Sequence, residues 1–191
     1  MPLMICLDLE GVLVPEVWVA FAEKTGIAEL RRTTRDEPDY DKLMQGRLAI
    51  LERHRFKLSD VQDVIATLQP LDGAREFLDE LRARAQLIIV SDTFYEFAAP
   101  LMRLLGWPTL FCHELQVEPS GRVAGYRLRV PDGKRRAVAS LKGLNFRVHA
   151  AGDSYNDITM LGEADRGVLF RCPDAVAREF PHFQQIGRAH V

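Results

Sequence analysis

The sequence predicts an α/β protein with a three-layer parallel-sheet core and a helical cap inserted after the first strand. Three observations lead to this fold class. A short apolar run near the N-terminus ends in acids and a glycine, which is typical of a buried strand entering a loop. A block of roughly fifty residues with helical periodicity follows, and it is longer than an ordinary loop. Strand-like and helix-like segments then alternate.

The composition favours a protein that acts on small molecules. The 191 residues suffice for one full core, and a net charge of -2 gives no reason to expect a nucleic-acid or membrane partner. Cys6, Cys112 and Cys172 lack metal-type or redox-type spacing, which indicates a reducing compartment. Acids interrupt the N-terminal apolar run before it could serve as a signal peptide. We therefore expect a cytoplasmic monomer or homodimer.

The first strand and the insertion after it define two expected domains. Residues 4–7 form the strand, and residues 17–68 have the periodicity of amphipathic helices with no convincing strand. An insertion there lies over the carboxyl ends of the strands, where open parallel sheets bind ligands. We expect an α/β catalytic core of residues 1–14 and 70–191 and a helical cap of residues 15–69.

After residue 70, helices and strands alternate as in a parallel α/β core. The polar-alternating runs around Ser120 and Gly121 predict a β-hairpin lying beside that core. In chain order, helix and strand alternate over DGAREFLDELRARA, QLIIVS, FYEFAAPLMRLLG and TLFC, the hairpin is LQVEPSGRVAGYRLRV, and FRVHAAG, YNDITMLGEA and GVLF form strand, helix and strand.

Acidic side chains follow two of the predicted strands. Asp8 and Glu10 would share one face if the first strand continued, and two such acids repel unless a cation lies between them or one is protonated. A turn-capping role explains one of these acids but not both. The segment AAGDSYND adds Asp153 and Asp157, although Asp153 could equally be a helix N-cap. These oxygen ligands suit Mg²⁺.

The other polar positions have competing interpretations. Thr93 and Glu96 match a capping box, which makes Thr93 structural and leaves Ser91 free to bind a phosphate oxygen beside a helix N-terminus. Lys134 is followed by two arginines, and by composition alone this run is a solvated helix start.

Taken in order, these segments resemble the haloacid dehalogenase superfamily of phosphatases, whose motifs are DxDx(T/V), Ser/Thr, Lys and GDxxxD. The matching positions here are residues 8–12, Ser91, Lys134 and residues 152–157. DLEGVLVPE, SDTFYEF and AAGDSYND look closest to phosphoserine phosphatases, and within them to the bifunctional phosphoserine phosphatase/phosphoserine:homoserine phosphotransferase subgroup. The resemblance implies a Rossmann-like core.

The resemblance also implies a two-step phosphoryl transfer. Asp8 would be the nucleophile and form an aspartyl-phosphate, while Glu10 would be the proton donor and acceptor. Mg²⁺ would be bound by Asp8, Asp153 and the Glu10 carbonyl, with Asp157 supporting these ligands.

The remaining implied roles concern binding of O-phospho-L-serine, and of L-homoserine in the bifunctional case. Glu16 would receive the substrate ammonium and Arg47 its carboxylate, although they could also be a helix N-terminal acid and an exposed helix charge. The groups implied to contact phosphate are Ser91, the Asp92 amide, Lys134 and Asn156.

Two features depart from the family pattern. Most members have aspartate where this chain has Glu10, and the longer arm could favour an alcohol acceptor over water. The last six residues, IGRAHV, resemble no part of the family, and we interpret them as a non-native end. The alternatives are a related phosphatase for another small phosphate ester and, less favoured, a receiver-type signalling domain that accepts phosphate. The helical insertion and the GDxxxD motif argue against the receiver.

Overall fold

The computed structural model describes residues 1–34, 36–37 and 39–187, and within them seven strands form one sheet. The strand order is β4-β3-β2-β1-β5-β6-β7, and neighbouring strands are parallel except for the antiparallel pair β3 and β4. In chain order the strands are β1 (Leu3–Leu7), β2 (Gln86–Phe94), β3 (Thr109–Val117), β4 (Val123–Arg127), β5 (Arg147–Gly152), β6 (Arg166–Phe170) and β7 (Gln184–Ile186).

Helices cover both faces of this sheet. They are α1 (Val17–Thr25), α2 (Tyr40–His54), α3 (Leu58–Ile65), α4 (Ala74–Arg82), α5 (Tyr95–Leu104), α6 (Gly133–Gly143), α7 (Ile158–Glu163) and α8 (Asp174–Glu179), with 3₁₀ turns at Ala28–Arg31 and Tyr155–Asp157. Among the residues that the structure describes, no helix has the length and apolar character needed to cross a membrane.

The central strand β1 shows how the three layers arise. Its side chains alternate between the two faces, so Leu7 packs in the core that contains α4 and α5, while Met4 and Cys6 pack in the core that contains α6 and α7. Both faces are buried, as expected for a strand flanked by parallel neighbours, β2 on one side and β5 on the other. The predicted fold class is confirmed.

Between β1 and α4 the regular elements of the described residues are helices, apart from a single β-bridge between Glu10 and Val14, as predicted. Helix α1 packs against the core and against the link between α2 and α3 through aromatic side chains: the Trp18 and Phe97 rings meet edge to face at 5.6 Å, and Phe21 meets Phe56 at 5.2 Å. Helix α2 begins after Asp39, whose carboxylate accepts the N–H of Lys42 at 3.1 Å.

The predicted hairpin is present as β3 and β4, but its separation from the TLFC strand is wrong. TLFC and the first arm of the hairpin form one continuous strand, β3, and β4 pairs with it, so the hairpin extends the edge of the main sheet. The sequence pattern predicts TLFC and the hairpin as separate segments. His113 is buried, and its ring accepts a backbone N–H from Arg129 at 3.2 Å.

The predicted capping box at Thr93 is also wrong. Strand β2 continues through Thr93 to Phe94, and Phe94 is the N-cap of α5 without a side-chain cap. The Glu96 carboxylate accepts the N–H of Leu115 on β3 at 3.0 Å instead. A non-local partner therefore outcompetes the local capping interaction.

The C-terminal part of the chain contributes an edge strand. Gln184–Ile186 forms β7 and pairs in parallel with β6, so Ile186, the first residue of the hexapeptide interpreted as non-native, has a place in the sheet. The residues numbered 188–191 lie outside the described part of the chain.

Candidate active site

The carboxyl ends of β1, β2 and β5 open into one cavity. Because these three strands are neighbours, the residues that follow or end them meet at one edge of the sheet. The lining includes nine of the ten predicted site residues, namely Asp8, Glu10, Glu16, Arg47, Ser91, Asp92, Lys134, Asp153 and Asn156. The tenth, Asp157, is fully buried and contacts Lys134.

Three buried carboxylates form a candidate metal centre. One oxygen from each of Asp8, Asp153 and Asp157 lies within 4.8 Å of the others. Burial raises the pKa of Asp8 well above its usual range, the negative charge of Asp157 raises it further, and Lys134 opposes both effects. Hard carboxylate oxygens gathered in this way suit a divalent cation such as Mg²⁺, whose charge would offset their repulsion.

Two glycines let these carboxylates come together. Gly11 has φ of +79°, and a Cβ atom there would lie 2.4 Å from Oδ2 of Asp153. A Cβ atom on Gly152 would lie 2.3 Å from Cγ of Asp157. Any larger residue at either position would therefore displace a carboxylate of the cluster.

Lys134 is buried against the acids, so its interpretation as a solvated helix start is wrong. It lies at the beginning of α6, and its Nζ donates to Oδ1 of Asp157 at 2.8 Å and lies 3.0 Å from Oδ1 of Asp8. Burial alone would lower the pKa of Lys134, but Asp157, Asp8 and Asp92 outweigh burial and raise it. The ammonium group therefore stays charged beside Asp8.

Asp157 organises the turn that carries Asp153. Its Oδ2 accepts the N–H groups of Asp153 at 2.9 Å and Ser154 at 3.1 Å. Ser154 is the N-cap of the short 3₁₀ turn and Asp157 that of α7, so the N-cap alternative for Asp153 does not hold. Asp153 is thus placed in the cavity rather than at a helix end.

Glu10 contacts the first helix of the insertion. Its Oε2 accepts the N–H of Val17 at 2.9 Å. Burial and the nearby Glu16 raise the pKa of Glu10 to about 7, against the opposing effects of the Val17 N–H, the Thr93 hydroxyl and Arg47. A carboxyl group with this pKa can both give and take a proton near neutral pH.

Ser91 and Asp92 occupy the end of β2. Ser91 is buried, and its Oγ accepts the N–H of Thr93 at 3.2 Å. Burial alone would raise the pKa of Asp92, but Lys134, His113 and Asn156 hold it well below its usual range. The Asn156 amide donates to Oδ2 of Asp92 at 2.7 Å. Asp92 is therefore an ionised acceptor within the cavity.

The insertion contributes Glu16 and Arg47 to the same cavity. Glu16 is the N-cap residue of α1 but makes no side-chain capping bond. Arg47 is only 8% exposed, its guanidinium lies 4.8 Å from the centre of the Trp18 ring, and Nη2 donates to the Arg32 carbonyl at 2.9 Å. Within the described part of the chain, Nε of Arg47 is buried without a hydrogen-bond partner. The alternative of an exposed helix charge is therefore wrong.

Among the other residues that line the cavity, Thr93 and Tyr40 contact predicted site residues but were not assigned to the site from the sequence. The Thr93 hydroxyl hydrogen-bonds the Glu10 carboxylate and opposes the rise of its pKa, but the capping-box pattern assigned Thr93 to a helix start. Tyr40 donates its hydroxyl to the Asp92 carbonyl at 2.8 Å. No motif includes Tyr40, and the only available signal was its place at the start of an amphipathic helix inside the insertion.

A family model described as haloacid dehalogenase-like hydrolase matches residues 4–165. The chain belongs to this family of hydrolases, and this membership leaves no support for the receiver-type alternative. Phosphoserine phosphatase ThrH of Pseudomonas aeruginosa is 63% identical over 181 residues, which cover 95% of this chain and 88% of that protein. A phosphoserine phosphatase of Pseudomonas syringae pv. tomato is also 63% identical over 181 residues, with 95% and 76% covered.

Solved structures agree with this assignment of the fold. A phospho-aspartyl intermediate analogue of phosphoserine phosphatase superposes with a TM-score of 0.77 at 20% identity, covering 92% of this chain and 90% of that one. Phosphoserine phosphatase from T. onnurineus, in complex with NDSB-201, gives a TM-score of 0.75 at 23% identity, with 99% and 91% covered. At these identities the likeness concerns the fold.

Proposed function

We propose that this hydrolase is a Mg²⁺-dependent phosphatase of O-phospho-L-serine that works through an aspartyl-phosphate on Asp8. One observation carries the choice of substrate. The Nε of Arg47, which is buried without a partner among the residues that the structure describes, lies on a guanidinium that lines the same cavity as Glu16 and Asp8. A buried N–H without an acceptor is costly, and a substrate carboxylate would satisfy it. Glu16 would receive the ammonium group.

The proposed metal ligands are Asp8, Asp153 and the backbone carbonyl of Glu10, with Asp157 supporting them. This assignment rests on the buried carboxylate cluster, whose charge exceeds what Lys134 alone can offset. When bound, Mg²⁺ would stabilise the negative charge of the transferring phosphoryl group.

The proposed chemistry assigns separate tasks to Asp8 and Glu10. A carboxylate oxygen of Asp8 attacks phosphorus, the bond from phosphorus to the serine oxygen breaks, and Glu10 gives its proton to that oxygen. Glu10 then takes a proton from the acceptor hydroxyl, which attacks phosphorus and restores the Asp8 carboxylate. Ser91, the Asp92 amide and Lys134 would hold the phosphoryl oxygens, and Asn156 would contact the transferring group.

We also propose that residues 15–69 act as a cap over a core of residues 1–14 and 70–191. Glu16, Tyr40 and Arg47 from the insertion line the cavity that the strand ends open into, which supports this division. A cap in this position would select the amino acid and limit the access of water to the aspartyl-phosphate.

A second candidate activity is transfer of the phosphoryl group to L-homoserine. The observation that favours it is Glu10, whose longer arm reaches the N-terminus of α1. A proton acceptor in this position would lie close to the hydroxyl of an alcohol bound by the same cap.

We propose a cytoplasmic monomer or homodimer without nucleic-acid or membrane partners.

Initial rates with phosphoserine, a sugar phosphate and a nucleotide, each with Mg²⁺, test the substrate. Phosphoserine should be turned over fastest, and added homoserine should yield phosphohomoserine besides free phosphate. Arg47→Ala should raise KM for phosphoserine far more than KM for p-nitrophenyl phosphate, which lacks a carboxylate. Arg53→Ala, on the exposed side of the same helix, is the matched control. Equal turnover of the three esters would contradict the amino-acid assignment.

A further inference from the structure

Outside the four sequence motifs, one buried histidine contacts a residue that lines the catalytic cavity. His113 lies in β3, on the strand next to β2, and its side chain is 5% exposed. A histidine this deeply buried needs polar partners for both ring nitrogens. Both partners are present, and one of them is the carboxylate of Asp92.

The backbone of the segment after β4 fixes which nitrogen of His113 carries the proton. Nδ1 accepts the N–H of Arg129 at 3.2 Å, so the proton of the neutral ring is on Nε2. Nε2 lies 3.4 Å from Oδ1 of Asp92. His113 therefore presents a donor to one oxygen of this carboxylate.

The second oxygen of Asp92 faces the cavity. Oδ2 accepts the Asn156 amide at 2.7 Å and lies 3.6 Å from Nζ of Lys134. The last torsion of an aspartate side chain is broad and roughly two-fold, so its contacts decide how the carboxylate is oriented. With His113 on Oδ1, Oδ2 remains directed at Asn156 and Lys134.

Asp92 and His113 also contact the insertion. The Tyr40 hydroxyl donates to the Asp92 carbonyl at 2.8 Å, and the Tyr40 and His113 rings meet edge to face at 6.2 Å. Asp92 thus joins β2 to α2, to β3 and to the turn that carries Asn156.

We propose that His113 is a positioning residue for phosphoryl transfer, which acts through the Asp92 carboxylate to orient the Asn156 amide and the Lys134 ammonium. This inference rests on the proposed function, because Asn156 and Lys134 are there assigned to the phosphoryl group. Arg47 is held by other partners, namely Met44, the Arg32 carbonyl and the Trp18 ring. Loss of the His113 contact should therefore lower kcat and leave KM for phosphoserine close to the wild-type value.

Two substitutions of His113 separate positioning from simple packing. Asn can replace Nδ1 as the acceptor for the Arg129 N–H but does not reach Asp92, whereas Gln can place a donor where Nε2 was. His113→Asn should lower kcat by about tenfold, as for other groups that orient contacting residues. His113→Gln should retain most of the activity. His149→Asn, on β5 and outside this cavity, is the matched control and should behave as wild type.

A double-mutant cycle with Asn156→Ala tests the route of the effect. In the Asn156→Ala background, His113→Asn should cost less kcat than it does in the wild type, because the amide to be oriented is gone. A wild-type kcat in His113→Asn, equal losses in the Asn and Gln variants, or fully additive losses in the cycle would each overturn the proposal. If His113→Asn does not fold, Asp92→Asn replaces it, and an unchanged kcat there is equally contradictory.

Parallel assays with phosphoserine and p-nitrophenyl phosphate keep the two proposals separable. If the wild type hydrolyses only the aryl ester, the proposed substrate fails while the His113 comparison still proceeds with that ester. If phosphoserine is turned over and His113→Asn is indistinguishable from wild type, only the positioning role fails.

Discussion

Asp8 and Glu10 are two positions apart but have different surroundings. Asp8 lies among Asp153, Asp157 and Lys134, where the Lys134 ammonium and a bound cation can offset its charge. Glu10 lies against the N-terminus of α1, and its pKa of about 7 results mainly from burial. Separate surroundings allow one carboxylate to stay a nucleophile while the other exchanges protons.

Shortening Glu10 tests its role in the choice of acceptor. In Glu10→Asp the carboxylate loses one methylene and should no longer reach the Val17 N–H, so proton transfer to and from an alcohol should weaken most. We expect the ratio of phosphohomoserine formed to phosphate released to fall several-fold, measured with phosphoserine, homoserine and Mg²⁺. An unchanged ratio would show that the longer arm does not select the acceptor.

The raised pKa of Glu10 also predicts how stability depends on pH. The folded metal-free protein binds this proton more tightly than the unfolded chain, with a pKa of about 7 against 4.5. The stabilisation that this proton gives the folded state is therefore fully present below about pH 4.5. It is lost as the pH rises through 7, which lowers the free energy of unfolding by up to roughly 3 kcal/mol. Denaturant unfolding of the wild type should show this loss between these pH values.

Glu10→Gln provides the comparison for that experiment, because its neutral amide does not titrate. The variant should lose less stability than the wild type over the same pH range, while Glu52→Gln on the exposed face of α2 should follow the wild type. If stability falls with pH equally in Glu10→Gln and in the wild type, then Glu10 ionises in the folded state without destabilising it.

At the scale of elements, the loop after β1 and the turn after β5 approach so closely that only glycine fits at two positions. Gly11 lies against Asp153 and Gly152 against Asp157. The two motifs therefore build one site from segments that are far apart in the sequence.

Gly11→Ala should displace the Asp153 carboxylate and weaken Mg²⁺ binding in isothermal titration calorimetry. The control is Gly26→Ala at the end of α1, where φ is +72° and a Cβ atom would meet nothing within 4 Å. Both variants should lose about 1 kcal/mol of stability from the left-handed backbone conformation, but only Gly11→Ala should lose Mg²⁺ affinity. Equal affinities would indicate that Gly11 serves the turn alone.

The elements that were predicted correctly have strong local signals. The apolar run of β1, the helical periodicity of the insertion and the alternation after residue 70 each follow from burial on one or both faces. The errors occurred where distant partners decide. Thr93 belongs to β2 and its hydroxyl hydrogen-bonds the Glu10 carboxylate. Lys134 is buried because it pairs with acids that are far away in the sequence. His113 continues β3 because the Arg129 N–H gives its buried ring a hydrogen-bond partner.

At the scale of the whole molecule, one sheet separates two cores and presents its carboxyl edge to the insertion. The cores contain cysteines that take no part in the site. Burial raises the pKa of the Cys6 thiol to about 12, and burial is also the main cause of a pKa of about 12 for Cys112. Both side chains are at most 2% exposed.

Alkylation of Cys6 and Cys112 should therefore be very slow in the native protein at mildly alkaline pH, since the thiolate is the reactive form. Labelling should accelerate at the denaturant concentration where the fold is lost, as followed by circular dichroism. Rapid labelling of either residue below that concentration would reveal local opening of the sheet.

In the proposed mechanism, Asp8 carries the phosphoryl group during turnover of phosphoserine. A single-turnover reaction with phosphoserine and Mg²⁺, quenched in acid and analysed by peptide mass spectrometry, tests it directly. We expect a phosphoryl adduct on Asp8, and neither adduct nor turnover in folded Asp8→Asn. An adduct on another residue, or turnover near the wild-type rate in Asp8→Asn, would contradict this mechanism.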